Sequence, residues 1–127
     1  CGTTGTPYDE FKRPRTQLTK VSLGAEQTVS WEYVARIGTL IKKLKCEGYT
    51  ILALEQSSRS VSYIDYRVRD LSKVALIVGN EVRGISPSVL KLADTIIEIP
   101  MYGKKESLNV SVAFGIVAFH YKQSLSQ

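Results

Sequence analysis

The sequence has 127 residues, with 17 Lys plus Arg against 12 Asp plus Glu and a formal net charge of +5. Its 43% hydrophobic and 23% charged content is that of an ordinary globular domain. That excludes collagen, coiled coil and disorder, and no apolar run approaches the about 18 residues of a membrane span. Cys1 and Cys46 are the only cysteines, which excludes a disulfide scaffold and leaves a soluble cytosolic domain as the expectation.

Gly2 to Gln27 reads as loop, with Pro7 and Pro14 and no sustained period; a connection this long is often functional. It concentrates Lys12, Arg13, Arg15 and Lys20, while Lys42, Lys43 and Lys45 form a second basic group and Lys104 with Lys105 a third. Each group alone reads first as a solvated face, and the net charge fits a nucleic-acid partner without demanding one. A helix is expected from Ser30 as N-cap, with Glu32 in its first turn. Val34, Ile37, Ile41 and Leu44 would form its apolar stripe and Gly48 its stop. Tyr49–Leu54 is a short, apolar, β-rich run that reads as a buried strand, and Ser60–Tyr63 as a short one. Lys73–Gly79 (KVALIVG) is the clearest strand, its unbroken apolar run being that of a parallel strand covered on both faces. Ser86 as cap with Pro87 at the first helical position starts a helix carrying Val89, Leu90 and Ala93. Thr95–Ile99 is a strand ended by Pro100, and Leu108 to Lys122 the last helix. This order predicts an α/β domain with a mostly parallel sheet flanked by helices.

The last helix carries Val110, Val112, Ala113, Phe114, Ile116, Val117, Ala118 and Phe119 around almost its whole circumference. A helix apolar all round is buried on more than one side, so either it is deeply central or its second side forms a homodimer interface; the small size of the domain favours the dimer.

Two strand-to-helix junctions hold the candidate chemistry, because ligands bind at the carboxyl ends of parallel strands. After Val74–Val78 comes Gly79-Asn80-Glu81-Val82-Arg83-Gly84-Ile85-Ser86, and after Thr95–Ile99 comes Pro100-Met101-Tyr102-Gly103-Lys104-Lys105-Glu106-Ser107-Leu108-Asn109. Gly79 and Gly84 allow close backbone approach, Glu81 puts a carboxylate at the mouth, and Ser107 and Asn109 stand where helix N–H groups are free. Taken singly, the glycines read equally as turn residues and Ser107 as an N-cap. Neither phosphate-binding nor dinucleotide-binding glycine patterns occur. His120 is the only histidine, so no metal site is expected, and it reads as a helix-surface or interface residue rather than a base.

Together, LIVGNEVRGIS (Leu76–Ser86) and IEIPMYGKKESLNVSVAFGI (Ile97–Ile116) resemble, in content and order, the second and third motifs of the SpoU family of RNA 2′-O-ribose methyltransferases. KVSLGAEQTVSWEY (Lys20–Tyr33) is similar to the matching segment of one subgroup. The resemblance implies a SPOUT-type fold with a C-terminal trefoil knot, an exception to the rule against threaded chains. It also implies S-adenosylmethionine as cofactor, tRNA or rRNA as partner, and a homodimer formed through the last helix. It implies that the adenosine part of the cofactor sits among the loops after Leu54, at Gly79, and from Ile99 to Leu108, held mainly by backbone groups. Glu81, Ser107 and Asn109 match the polar motif residues of the reaction site, and Lys12, Arg13, Arg15 and Lys20 become the expected RNA phosphate contacts. Methyl transfer from a sulfonium needs no metal. An RNA-binding factor that kept the fold without catalysis, or a methylase of bases, are the alternatives.

One departure stands out. The family's first motif, an Asn…Gly…Arg pattern, has no counterpart here, and none of Arg13, Arg15, Arg36, Arg59, Arg67, Arg69 or Arg83 sits in such a motif. Cys1-Gly2-Thr3-Thr4 reads as the end of a strand, so the expectation for residues 1–127 is a methyltransferase domain without its first strand–helix unit, about 30 residues.

Overall fold

A computed structural model of the chain describes residues 5–16, 20, 22, 24–80, 82–104 and 107–124. These fall into two compact units, Cys1–Ile37 and Gly38–Gln127.

In the first unit, residues 7–15 fold back on themselves around Asp9. Arg15 N–H donates to Pro7 O at 2.9 Å and Lys12 N–H to Asp9 O at 3.0 Å. The Asp9 carboxylate accepts from Phe11 N–H, Arg13 N–H and the Arg13 guanidinium, and bonds from Arg13 hold its carboxyl below the ordinary range. The expectation of loop as far as Gln27 is corrected, since Thr16, Lys20 and Ser22 are helical and α1 (Ala25–Thr28) follows Gly24. Ala, Glu and Gln at 25–27 are good helix formers. The next helix, expected from Ser30, begins seven residues later as α2 (Ile37–Cys46). Residues 30–34 are extended or irregular instead, and Trp31 stacks on Tyr8 with ring centroids 5.9 Å apart. α2 ends where Gly48 predicts. Tyr49 N–H reaches Leu44 O and Gly48 N–H reaches Lys45 O, with Gly48 at φ 84, which is the Schellman closure that a left-handed glycine permits.

The second unit is built on four parallel strands, β1 (Thr50–Leu54), β2 (Val61–Ser62), β3 (Val74–Val78) and β4 (Thr95–Glu98), in the order β2-β4-β1-β3. β1 pairs with β3 from Thr50↔Val74 to Leu54↔Val78 and with β4 from Leu52↔Thr95 to Leu54↔Ile97. Ile51, Leu52 and Ala53 are completely buried, as expected of that run. Lys73–Gly79 forms a parallel strand with cover on both faces, as its apolar run predicts, but the cover is partial: Val74 and Leu76 pack toward Leu52 and Ile97, Ile77 packs toward Ala53 and Ile96, and none of the strand's residues is fully buried. Among the described residues β3 is the outermost strand of the sheet.

Side-chain alternation divides the core in two. Leu52 and Ile97 meet Val117 of α4 (Val110–Ser124), with Leu54, Leu76, Ile99 and Tyr121 around them. On the other face Ala53 and Ile96 meet Ile85, with Val89 and Leu90 of α3 (Pro87–Leu90) and Ala93. Burial pushes the Tyr121 hydroxyl up to about 12, so it stays protonated. α4 buries only Val117 completely and leaves Phe119 72% and Val112 51% exposed among the described residues. No helix among the described residues is long and apolar enough to cross a membrane.

Asp94 ties the start of β4 to that of β1. Its Oδ2 accepts from Ile51 N–H at 2.8 Å, its Oδ1 from Lys45 Nζ at 2.6 Å, and its own N–H donates to Ile51 O. Burial pushes this carboxyl up, but the Lys45 and Ile51 bonds together outweigh it, and the group sits below the ordinary range. A lowered folded value means that the stabilisation is present above the unfolded carboxyl range and is lost as pH falls through the folded value. Asp94→Asn is therefore expected to cost about 1–2 kcal/mol at pH 7. Urea titrations should show the gap from wild type closing as pH drops below about 4.

Candidate active site

The loop after β3 closes on itself through Asn80. Its N–H and carbonyl pair with Gly84 O and N–H at 3.2 and 2.8 Å, and its side-chain Oδ1 accepts from Val82 N–H and Arg83 N–H at 2.9 and 3.2 Å. An Asn in this place satisfies a turn that would otherwise leave amides without partners. Gly84 takes φ 62, and Gly79 passes so close that a β-carbon on it would lie 2.8 Å from the Gly84 Cα. The two glycines thus have a steric reason: the outgoing and returning strands of the loop touch.

The loop after β1 begins with Glu55, whose Oε2 accepts from Ile85 N–H at 2.8 Å and Oε1 from Gln56 N–H at 3.1 Å. At the end of β4, Glu98 Oε2 accepts from Ser60 Oγ at 2.7 Å, and Ser60 Oγ is shared with Ser57 O. Among the described residues neither Glu55 nor Glu98 is ion-paired. α4 starts at Asn109, whose Oδ1 accepts from Ser111 N–H at 2.9 Å and whose carbonyl accepts from Ala113 N–H at 3.0 Å. Asn109, not Ser107, is therefore the N-cap.

These segments meet in one open cleft at the carboxyl ends of β1, β3 and β4. Its larger lobe, of ≈ 510 Å³, lies between Leu54–Gln56, the loop residues Val78–Asn80 and Val82–Ile85, and Ser107, Leu108, Val110 and Ala113. A smaller lobe of ≈ 120 Å³ shares Leu54, Glu55, Ser107 and Leu108 and adds Glu98, Ile99 and Met101. The combined space is of the size that holds small molecules. Leu54, Gly79, Ile99, Ser107 and Leu108, singled out in the sequence, all line it. Asn109 lies beside the lining with its carbonyl oxygen engaged in the cap, and Glu81 lies outside the described residues. Glu55, Glu98 and Met101 line the cleft without having been singled out. The signal for Glu55 was present, a carboxylate directly after a buried parallel strand; Glu98 is hidden within a strand.

Lys12, Arg13 and Arg15 share the Asp9-centred loop of the first unit, and Lys20 lies in its helical part; all four are exposed. Arg13 is held by Asp9 at 3.0 Å and lies 4.8 Å from the Phe11 ring centre. His120 packs edge-on against Tyr63. Among the described residues no group of three or more His, Cys, Asp or Glu side chains could hold a metal ion.

The SpoU rRNA methylase family model matches residues 6–119. The chain is 34% identical, over 125 residues, to the tRNA (guanosine(18)-2′-O)-methyltransferase of Aquifex aeolicus, covering 94% of this chain and 57% of that protein. The crystal structure of an A. aeolicus tRNA modifying enzyme superposes with a TM-score of 0.75 at 36% identity, over 83% of this chain and 52% of that one. An rRNA methyltransferase from Sinorhizobium meliloti, crystallised with S-adenosylmethionine, superposes with a TM-score of 0.74 at 26% identity, over 92% and 42% of the two chains. The chain thus spans about half the length of the relatives it matches.

Adding a methyl group at Gly79 forces backbone against backbone, which nothing nearby can relieve by rotating. Gly79→Ala is expected to lower the unfolding free energy by about 1–3 kcal/mol, measured by urea denaturation, whereas Gly103→Ala, with open space around it, should stay within about 0.5 kcal/mol.

Proposed function

The chain belongs to the SpoU rRNA methylase family, and from that premise we propose that it is an S-adenosylmethionine-dependent RNA methyltransferase acting on a ribose 2′-hydroxyl of tRNA or rRNA. The observation that carries this reading is the cleft at the carboxyl ends of three parallel strands, walled by the two sequence motifs and closed by the start of α4. The residues present fit the cofactor. Main chain lines the larger lobe at Gly79 and Gly84, apolar walls from Leu54, Ile99, Met101 and Leu108 suit an adenine ring, and Glu55, Gln56, Asn80 and Ser107 add polar groups to the same space. In this reading Leu54, Gly79, Ile99 and Leu108 hold the cofactor.

When bound, S-adenosylmethionine supplies an activated methyl group and its own leaving group. What remains for the protein is in-line placement of the ribose oxygen, which accounts for a large share of such a rate enhancement. Ser107, on the cleft wall, and Asn109, at the helix start, orient the ribose; neither is basic enough to take its proton. Glu81 belongs to the same reaction site by its place in the motif. Lys12, Arg13, Arg15 and Lys20 meet RNA phosphates, which the net charge of +5 supports. We further propose the knotted threading of the C-terminal segment and a cytoplasmic homodimer paired through α4. The exposed Phe114 and Phe119 on that helix support the pairing, since apolar side chains of this size seek cover.

Calorimetry on the full-length protein should show S-adenosylmethionine binding, and a map of 2′-O-methyl positions in total RNA should lose a site when the gene is removed. No binding, with RNA affinity intact, would instead favour a non-catalytic RNA-binding factor. Asn109 allows cap and chemistry to be separated. Asn109→Ala should lose about 1 kcal/mol of stability, which Asn109→Ser restores, Ser being an equal cap. Methylation should fall at least about tenfold in both, equivalent to about 1.4 kcal/mol of barrier; recovery of turnover in Asn109→Ser would reduce the residue to a cap.

A further inference from the structure

Three tethers converge on Glu55. Its N–H donates to Ile97 O at 3.0 Å, its Oε2 accepts from Ile85 N–H at 2.8 Å, and its Oε1 accepts from its neighbour Gln56 N–H at 3.1 Å. One residue thus joins the carboxyl ends of β1 and β4 to the returning side of the loop after β3. Ile85 already packs its side chain on Ala53 and Ile96, but its backbone has no such anchor from the loop itself: among the described residues β3 is the outermost strand, and the hydrogen bonds of Asn80 stay within the loop. Gly84 carries the complementary mark, because a β-carbon there would collide with the Glu55 carboxylate. On the other side of Gly84 a β-carbon at Gly79 would meet its backbone. Gly79, Gly84 and the Glu55 carboxylate are therefore stacked with no room for another atom, and all three line the larger lobe.

We propose that Glu55 is a positioning residue of the S-adenosylmethionine site: its carboxylate sets the separation between the Leu54–Gln56 wall and the Gly84–Ile85 wall of the cleft. The inference rests on the function proposed above and adds to it a residue outside the two motifs. Its two side-chain partners are backbone amides, not cations, so what counts is reach to Ile85 N–H more than charge. Gln has the same length and keeps an acceptor oxygen for Ile85 N–H, giving up only the exposed bond from Gln56 N–H. Asp keeps the charge but is one methylene short.

The test is calorimetric titration of S-adenosylmethionine into the full-length protein and its Glu55→Gln, Glu55→Asp and Glu55→Ala variants. Loss of a single acceptor for a partly buried amide, with the loop released, predicts Asp and Ala weaker on the order of tenfold to a hundredfold. Gln should remain within about threefold of wild type. In turnover assays the cofactor KM should rise and the RNA KM stay in place, a split that general loss of fold does not produce. Gly84→Ala, which displaces the carboxylate from the other side, should match Asp. Equal affinity in all variants, with wild type binding, overturns the positioning role and leaves the cofactor reading standing. Asp binding better than Gln overturns it in favour of charge. Failure of wild type to bind overturns both. If Glu55→Ala does not fold, the order of Gln and Asp alone decides.

Discussion

The pairing of Thr50–Leu54 with a parallel partner on each edge is the constraint on which the rest of the second unit depends. It buries Ile51, Leu52 and Ala53 on both faces, and it sends three chain segments out of the sheet at one end. Truncating Leu52 or Ile97 would remove side chains whose burial is worth about 2–5 kcal/mol each, because each touches α4 and the neighbouring strand at once. Asp94 fixes the opposite end of the same pair, at the start of β1 and β4.

Parallel strands leave their carboxyl-end loops without sheet partners, and each of the three solves this differently. The β3 loop bonds to itself through Asn80. The β4 end is held by Ser60 on Glu98, and the approach to α4 ends in the Asn109 cap. Glu55 is the group that crosses from one loop to another. The cleft is thus made of locally satisfied pieces, joined at few points, which leaves open backbone and apolar wall facing the space between them. That combination suits a ligand held mainly by main-chain groups and shape.

Much of this was legible along the chain. The strands at 49–54, 73–79 and 95–99, the glycine stop at 48 and the last helix follow from short apolar runs and strong punctuation, and the structure moves their ends by only one or two residues. Residues 30–34 are not helical, and Trp31 among them stacks on Tyr8, a contact 23 residues away that no local period announces. The outermost place of β3 among the described strands was not legible either: an apolar run records how much cover a strand has, not which neighbours supply it. In the cleft, the motif residues Gly79, Ser107 and Leu108 were visible as pattern; Glu55 had only the weaker signal of a carboxylate directly after a buried strand, and Glu98, within a strand, had none.

The sequence by itself determined the α/β class, the parallel sheet and the two motifs, because burial period, turn glycines and capping residues act over a few neighbours. Only the tertiary structure decided strand order, the joining of three loops into one cleft, and the division of labour among its polar groups. It made Asn80 a loop closure, Asn109 a cap and Glu55 a tie between walls. The physical reason is the same in each case. A hydrogen bond between residues 30 positions apart, as from Ile85 to Glu55, depends on where the sheet register brings their backbones, and that register is settled by packing over the whole core rather than by either residue.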